Sequence, residues 1–214
     1  MINKRLKEKL KNLSTNKNPK IRFCLATLAL VCLSLILLVI STFTQIKIDF
    51  NIPDTDLDEY VKLQYIPQVP IVVFIAALLG RTWGLTTVLL YIILGLSPYF
   101  PIFALGGGLE YIFQYSFGYI FAYIFAVIFA TTPLKKEHSI KNLLLAMIYG
   151  VVTIHIIGII YMSILAIIRH EPTEFIQNWI YYQSLSKILY DIIFSTLAVF
   201  VAKGCRKIIW LIMG

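Results

Sequence analysis

Apolar residues run from Phe23 to Phe43, a stretch long enough to cross a bilayer as one helix of about 20 residues. A polar segment follows, Gln45 to Tyr65, carrying Asp49, Asp54, Asp56, Asp58 and Glu59. Apolar character returns over Pro67–Leu79, stops at Gly80-Arg81-Thr82-Trp83-Gly84, and resumes over Leu85–Leu96. These two runs are short for full crossings, so the pattern predicts a tight helical hairpin with Arg81 at its tip. A Pro/Gly-rich segment, Ser97 to Gly108, then breaks the chain. Three further spans are expected at Tyr111–Ala130, Leu143–Ile168 and Leu185–Ala202, and Phe175–Tyr182 reads as an amphipathic, aromatic segment lying at the membrane interface. The pattern predicts an all-α polytopic protein with six transmembrane helices. Residues 1–20 form a basic tail, 21–208 the membrane domain and 209–214 a short C-terminal tail.

Composition agrees with this picture. The chain has 214 residues, 59 % of them hydrophobic and 14 % charged, and a mean hydropathy of +0.81. Soluble domains carry about 25 % charged residues. Six spans would use most of the length and leave no room for a separate ATPase or catalytic domain. Charge placement then sets orientation. With the N-terminus inside, fifteen of the nineteen Lys and Arg residues lie on the cytoplasmic side, and most acids lie outside. The net charge of +8 therefore reads as a topology signal and lipid anchor rather than a nucleic-acid surface. The first apolar run is too long, and its exit at Ser41-Thr42-Phe43 too unlike Ala-x-Ala, for a cleaved signal peptide. Cys24, Cys32 and Cys205 are an odd number without metal-type spacing, so neither a disulfide framework nor a zinc site is expected.

Few residues carry candidate chemistry. The segment Tyr91 to Gly108 ends a helix with prolines and glycines at the outer surface, and irregular backbone near the membrane needs protein or a water-filled cavity to satisfy it. Two readings stand: a loop closing over a small ligand, or a plain connection. Asp191 lies inside an apolar run, where carboxylates face a cavity or a partner. Lys187, four residues earlier, shares its face and either neutralises it or joins it in binding. Glu110 reads as an acid in a helix's first turn, His155 as a helix-to-helix hydrogen bond, and Arg81 as a cytoplasmic topology charge. Gly118, Ala122, Ala126 and Ala130 recur every fourth residue and predict close helix packing, with Ala26 and Ala29 weaker examples. No nucleophile–base, paired-carboxylate or metal arrangement stands out, so neither an enzyme nor a cofactor is expected.

From the second span through the fourth the chain resembles the BioY family, the biotin-binding S components of energy-coupling-factor (ECF) vitamin transporters. The matching residues, in order, are Val69-Pro70, Leu79-Gly80-Arg81, Gly84, Leu90-Tyr91, Leu94-Gly95, Pro101-Ile102-Phe103-Ala104, Gly107-Gly108 and Gly118-Tyr119. The chain departs from the family at several points. Tyr115-Ser116-Phe117 replaces a Pro-Thr-Gly, and the late Gly-Asp-x-x-Lys reads Tyr190-Asp191-Ile192-Ile193-Phe194, without the lysine. The resemblance implies an ECF S-component-like bundle in a bacterial plasma membrane. Such a chain captures biotin from outside and hands it to a T component with two ATPase subunits. It further implies a binding set of Tyr91, Phe103, Gly107, Gly108, Tyr111, Tyr119, Lys187 and Asp191. Biotin's own chemistry then suggests roles: Tyr91, Phe103 and Tyr111 to wall the bicycle, Asp191 to accept a ureido N–H, and Lys187, from the preceding turn and not from the family's pattern, to meet the carboxylate in place of the missing lysine. A different vitamin, or a membrane scaffold without a ligand, are the alternatives.

Overall fold

The computed structural model describes residues 19–50 and 61–213, with side chains over 25–47 and 65–209. Residues 1–18 of the basic tail and the acidic cluster at 54–59 lie outside the described residues. Helix α1 (Pro19–Phe43) leads into a two-stranded antiparallel hairpin, β1 (Ile46–Phe50) and β2 (Val61–Tyr65), in which Ile46 pairs with Tyr65 and Phe50 with Val61. Then come α2 (Gln68–Leu96), a 3-10 turn (Leu109–Phe113), α3 (Phe117–Leu134) and α4 (Ile140–Ile168). A short α5 (Thr173–Ile180) passes through a π turn (Tyr181–Leu185) into α6 (Ile188–Met213).

Among the described residues five helices are long and apolar enough to cross a membrane, one fewer than the six expected spans because the second and third share one helix. The second and third expected spans form one element, α2, broken at Gly80. There φ is +75°, a conformation open to glycine at little cost. The chain doubles back at this point. A Cβ on Gly84 would lie 3.7 Å from the Cα of Ala76, and Gln68 Nε2 lies 3.0 Å from the Tyr91 hydroxyl. In a straight helix those last two residues would stand roughly 35 Å apart. The two arms run antiparallel between the cavity end and the basic end, forming the helical hairpin with Arg81 at its tip that the pattern predicts.

Two further boundaries differ from the pattern. Gln114 is extended, so Tyr111 belongs to the 3-10 turn, and α3 starts at Phe117. Glu110 is consequently an exposed residue of that turn and opens no spanning helix. The last helix continues to Met213 without a break at 208, because Ile208–Met213 keeps the apolar, helix-compatible composition of the run before it. The Thr173–Ile180 helix buries no side chain, in keeping with an interfacial position.

Large side chains such as Leu33, Ile36 and Ile40 on α1, and Ile156, Ile160 and Ile164 on α4, face outward. Lipid solvates such faces, and the chain is a membrane protein. Small residues fill the centre. Ala122, Ala126 and Ala130 on α3 are fully buried, and a Cβ on Gly118 would come 2.5 Å from Tyr161 Cβ on α4. Gly158 on α4 takes the ring of Tyr119 in the same way, so α3 and α4 touch through their glycines. On α1 Ala26 is half-buried and Ala29 is exposed. A small residue packs closely only where a partner helix faces it.

One end of the bundle collects the basic residues. Arg81, at the hairpin tip, donates from Nη2 to the Ile128 carbonyl (2.7 Å) and to Thr132 Oγ1 (3.1 Å), satisfying groups in the last turns of α3. Arg206 Nη1 donates to the Leu78 carbonyl at 2.8 Å. His138 lies close to Arg206 and Lys203. The β hairpin, the 97–116 segment and α5 occupy the opposite end.

Candidate functional site

The end opposite the basic residues holds a cavity of about 460 Å³, framed by β2, the start of α2, the segment around Leu105 and Tyr111, α3, α4 and the π turn. That size falls within the range of about 300–1,000 Å³ typical of small-molecule sites. Four of the expected site residues line it: Tyr111, Tyr119, Lys187 and Asp191.

Asp191 is 2 % exposed. Its Oδ1 accepts from the Tyr65 hydroxyl at 2.7 Å, and Oδ2 lies 3.1 Å from His155 Nε2. A carboxylate this deep needs such partners, since taking it from water unpaired is costly. Lys187 does not pair with it. Side chains on a helical stretch lean toward its start, which carries the ammonium outward, where Nζ donates to Gln183 Oε1 at 2.7 Å. The expected Lys187–Asp191 pair is thus replaced by two separate contacts, and the cavity keeps a cation toward its mouth and a carboxylate toward its floor.

The π turn sets that arrangement. Its wide backbone turns Ser184 inward, where Oγ lies 2.7 Å from the Tyr119 hydroxyl, while Tyr182 and Gln183 line the cavity. Single π turns of this kind concentrate at functional sites.

Tyr91, Phe103, Gly107 and Gly108 do not line the cavity; they build the layer behind it. Phe103 is fully buried, with its ring 4.6 Å from that of Tyr111 and 5.4 Å from that of Tyr91. It fits there because Gly95 has no side chain in the way. Gly108 N–H donates to the Gly95 carbonyl at 2.9 Å, with φ at +93°. A Cβ on Gly107 would sit 2.8 Å from the same oxygen. The Pro/Gly segment therefore folds back onto the end of α2 and presses Tyr111 into the wall. The expected wall roles of Tyr91 and Phe103 become supporting ones, because each ring is fully enclosed by its neighbours.

Several lining residues escape sequence reasoning. Gln68 opens α2 and uses its whole amide: Nε2 donates to Thr42 Oγ1 (2.7 Å) and to the Tyr91 hydroxyl (3.0 Å), and Oε1 accepts from the Tyr123 hydroxyl (3.0 Å). This joins α1, both arms of α2 and α3 beneath the cavity. Tyr65 stacks on Phe194, which stands where the resemblance expects lysine, at 5.4 Å between ring centres. Burial first, and then the Asp191 charge, push the Tyr65 phenol far above its ordinary value, so it stays a donor at physiological pH. Burial likewise raises Tyr111. Gln68 and Tyr65 sit at element boundaries where polar residues are common, and no local signal marks them. His155, read as a contact between helices, does bond a neighbouring helix and also lines the cavity.

The site can grip a small, partly apolar molecule that offers hydrogen-bond donors at one end and an anionic group at the other. Among the described residues no three His, Cys, Asp or Glu side chains cluster as a metal site.

The profile of the BioY family matches residues 11–210. No curated protein matches the sequence. Among solved structures, the chain is similar to a crystal structure described as the S-component for biotin from an ECF-type ABC transporter. The TM-score is 0.65 at 21 % identity, and the match covers 87 % of this chain and 93 % of that one. At that identity the likeness shows a shared fold.

Proposed function

The chain belongs to the BioY family, and from that premise we propose that it is the substrate-capturing S component of a biotin uptake system. The observation that carries the proposal is the outer cavity of a BioY chain with Asp191 on its floor and Lys187 a turn nearer its mouth. Biotin has a bicyclic ring with ureido N–H donors, and a valeryl tail ending in a carboxylate. The ring lies deep, between Tyr111 and Tyr119, and a ureido N–H donates to Asp191. The tail runs outward, and its carboxylate takes the Lys187 ammonium from Gln183. Aromatic and aliphatic walls supply most of the binding energy, and the two charged groups fix the orientation.

The chain performs no reaction of its own in this reading. It sits in the bacterial plasma membrane with both termini in the cytoplasm and takes biotin from outside. It then engages a transmembrane T component and two ATPase subunits, whose ATP hydrolysis drives import. The basic inner end is the face such a module would meet. Expression of the chain with an ECF module in a biotin-auxotrophic strain tests the proposal: growth on limiting biotin should be restored. It should fall when Asp191→Asn and Lys187→Ala are introduced together. Growth indifferent to both changes would refute the assigned site, and rescue by another vitamin alone would move the function to a different S-component class.

A further inference from the structure

We propose that His155 is the positioning residue of the binding site: it holds Asp191 by one carboxylate oxygen so that the other stays free to exchange partners. This deepens the biotin reading and rests on it for the identity of the ligand.

The two oxygens of Asp191 are held by elements of different kinds. Oδ1 is bonded by Tyr65, from the strand hairpin that covers the cavity, and Oδ2 by His155, from the middle of α4. A ligand arriving from outside meets the hairpin side first. An N–H donor on it can replace the Tyr65 hydroxyl on Oδ1 without disturbing Oδ2. The α4 side offers no such freedom. His155 is 4 % exposed and sits on a 29-residue helix that packs closely against α3.

The hydrogen-bond pattern separates this role from ordinary helix packing. An ionised carboxylate only accepts, so Nε2 carries the hydrogen that it donates to Asp191. Nδ1 is buried and finds no hydrogen-bond partner among the described residues. The imidazole thus has a single polar anchor, and that anchor is Asp191. A histidine kept to join helices would spend its second nitrogen on a backbone carbonyl or a side chain of α3 or α4. The arrangement resembles the way outer groups orient metal-binding or catalytic side chains: the ring fixes the geometry of the group that meets the ligand.

The test uses the full chain purified in detergent, with H155Q, H155F and D191N alone and the two doubles. The amide nitrogen of glutamine reaches the position of Nε2, so H155Q keeps the donor to Asp191, whereas H155F removes it. Labelled-biotin affinity should fall about 10-fold or more in H155F and stay within about 3-fold of wild type in H155Q. In the D191N background neither change should weaken binding by more than about 2-fold, because the group being oriented is already neutral. Thermal unfolding without ligand should show the same non-additivity. Equal losses in H155Q and H155F, or losses that persist undiminished in D191N, overturn the proposal. Absence of biotin binding by the wild type refutes the biotin reading instead. The ligand-free unfolding cycle then decides the His155–Asp191 coupling by itself.

Discussion

Asp191 shows how much one buried carboxylate asks of its surroundings. Two donors, Tyr65 and His155, come from residues 126 and 36 positions away in the chain. Tyr65→Phe removes one of them without changing the ring that stacks on Phe194. A ligand N–H that takes the place of this hydroxyl on Oδ1 no longer has to displace it, so biotin affinity should stay within about 2-fold of wild type or tighten, while the ligand-free protein loses roughly 1 kcal/mol of stability. Isothermal titration and thermal unfolding check this, and an affinity weakened about 10-fold or more would mean that the hydroxyl stays on the carboxylate in the complex. At this scale the site was half legible. Asp191 stands out because a carboxylate in an apolar run demands an explanation, and Lys187 stands out beside it. Tyr65 and Tyr123 do not, since the chain has 13 tyrosines and an aromatic residue near a membrane surface has an ordinary explanation in the interface. Gln68 is hidden for a different reason: its three partners lie on α1, the far arm of α2 and α3, and converge only in the folded bundle.

Between elements, glycine positions decide how the helices meet. Gly80 holds φ at +75°, and a side chain there is strained even though a Cβ would meet nothing. Gly80→Ala should therefore cost about 1–2 kcal/mol of stability through backbone strain alone, read as a lowered melting temperature in detergent. Gly118→Leu is a packing change and should cost more, about 1–3 kcal/mol or outright misfolding, because Tyr161 occupies the space. The Gly118–Ala130 repeat could be read in advance, as its period matches one helix face. Ala29 misled because small residues at helical spacing say nothing about whether a partner faces them. The start of α3 was misplaced by six residues because Tyr111–Phe113 is as apolar as a helix, and only the extended Gln114 separates the turn from the span.

The loop joining α3 to α4 adds a pH effect. Burial, followed by the charges of Arg206 and Lys203, holds the His138 imidazole below its ordinary value of 6.5. The folded state thus favours the neutral ring. Above pH 6.5 both states leave it neutral, and stability is unaffected. Below that value the unfolded chain takes up the proton first, so stability falls as pH drops. His138→Asn should flatten the decline of melting temperature between about pH 6.5 and 5.

For the molecule as a whole, the polarity of the two ends organises everything else. The basic residues gather at one end and the cavity opens at the other, so the bias of Lys and Arg toward the cytoplasm predicts that the cavity faces outward. In a cysteine-free background, Tyr99→Cys, on the exposed segment after α2, should react with a membrane-impermeant maleimide in intact cells. Lys136→Cys, in the loop between α3 and α4, should react only after the membrane is opened. The reverse pattern would invert the protein and place the cavity on the cytoplasmic side.

The central claim is that this outer cavity captures biotin. Equilibrium dialysis of the purified chain against labelled biotin tests it most directly. Saturable binding near one molecule per chain, displaced by excess unlabelled biotin and abolished in an Asp191→Asn, Lys187→Ala double variant, is the predicted result. A wild-type protein that is folded and monodisperse yet shows no saturable uptake of label would contradict it.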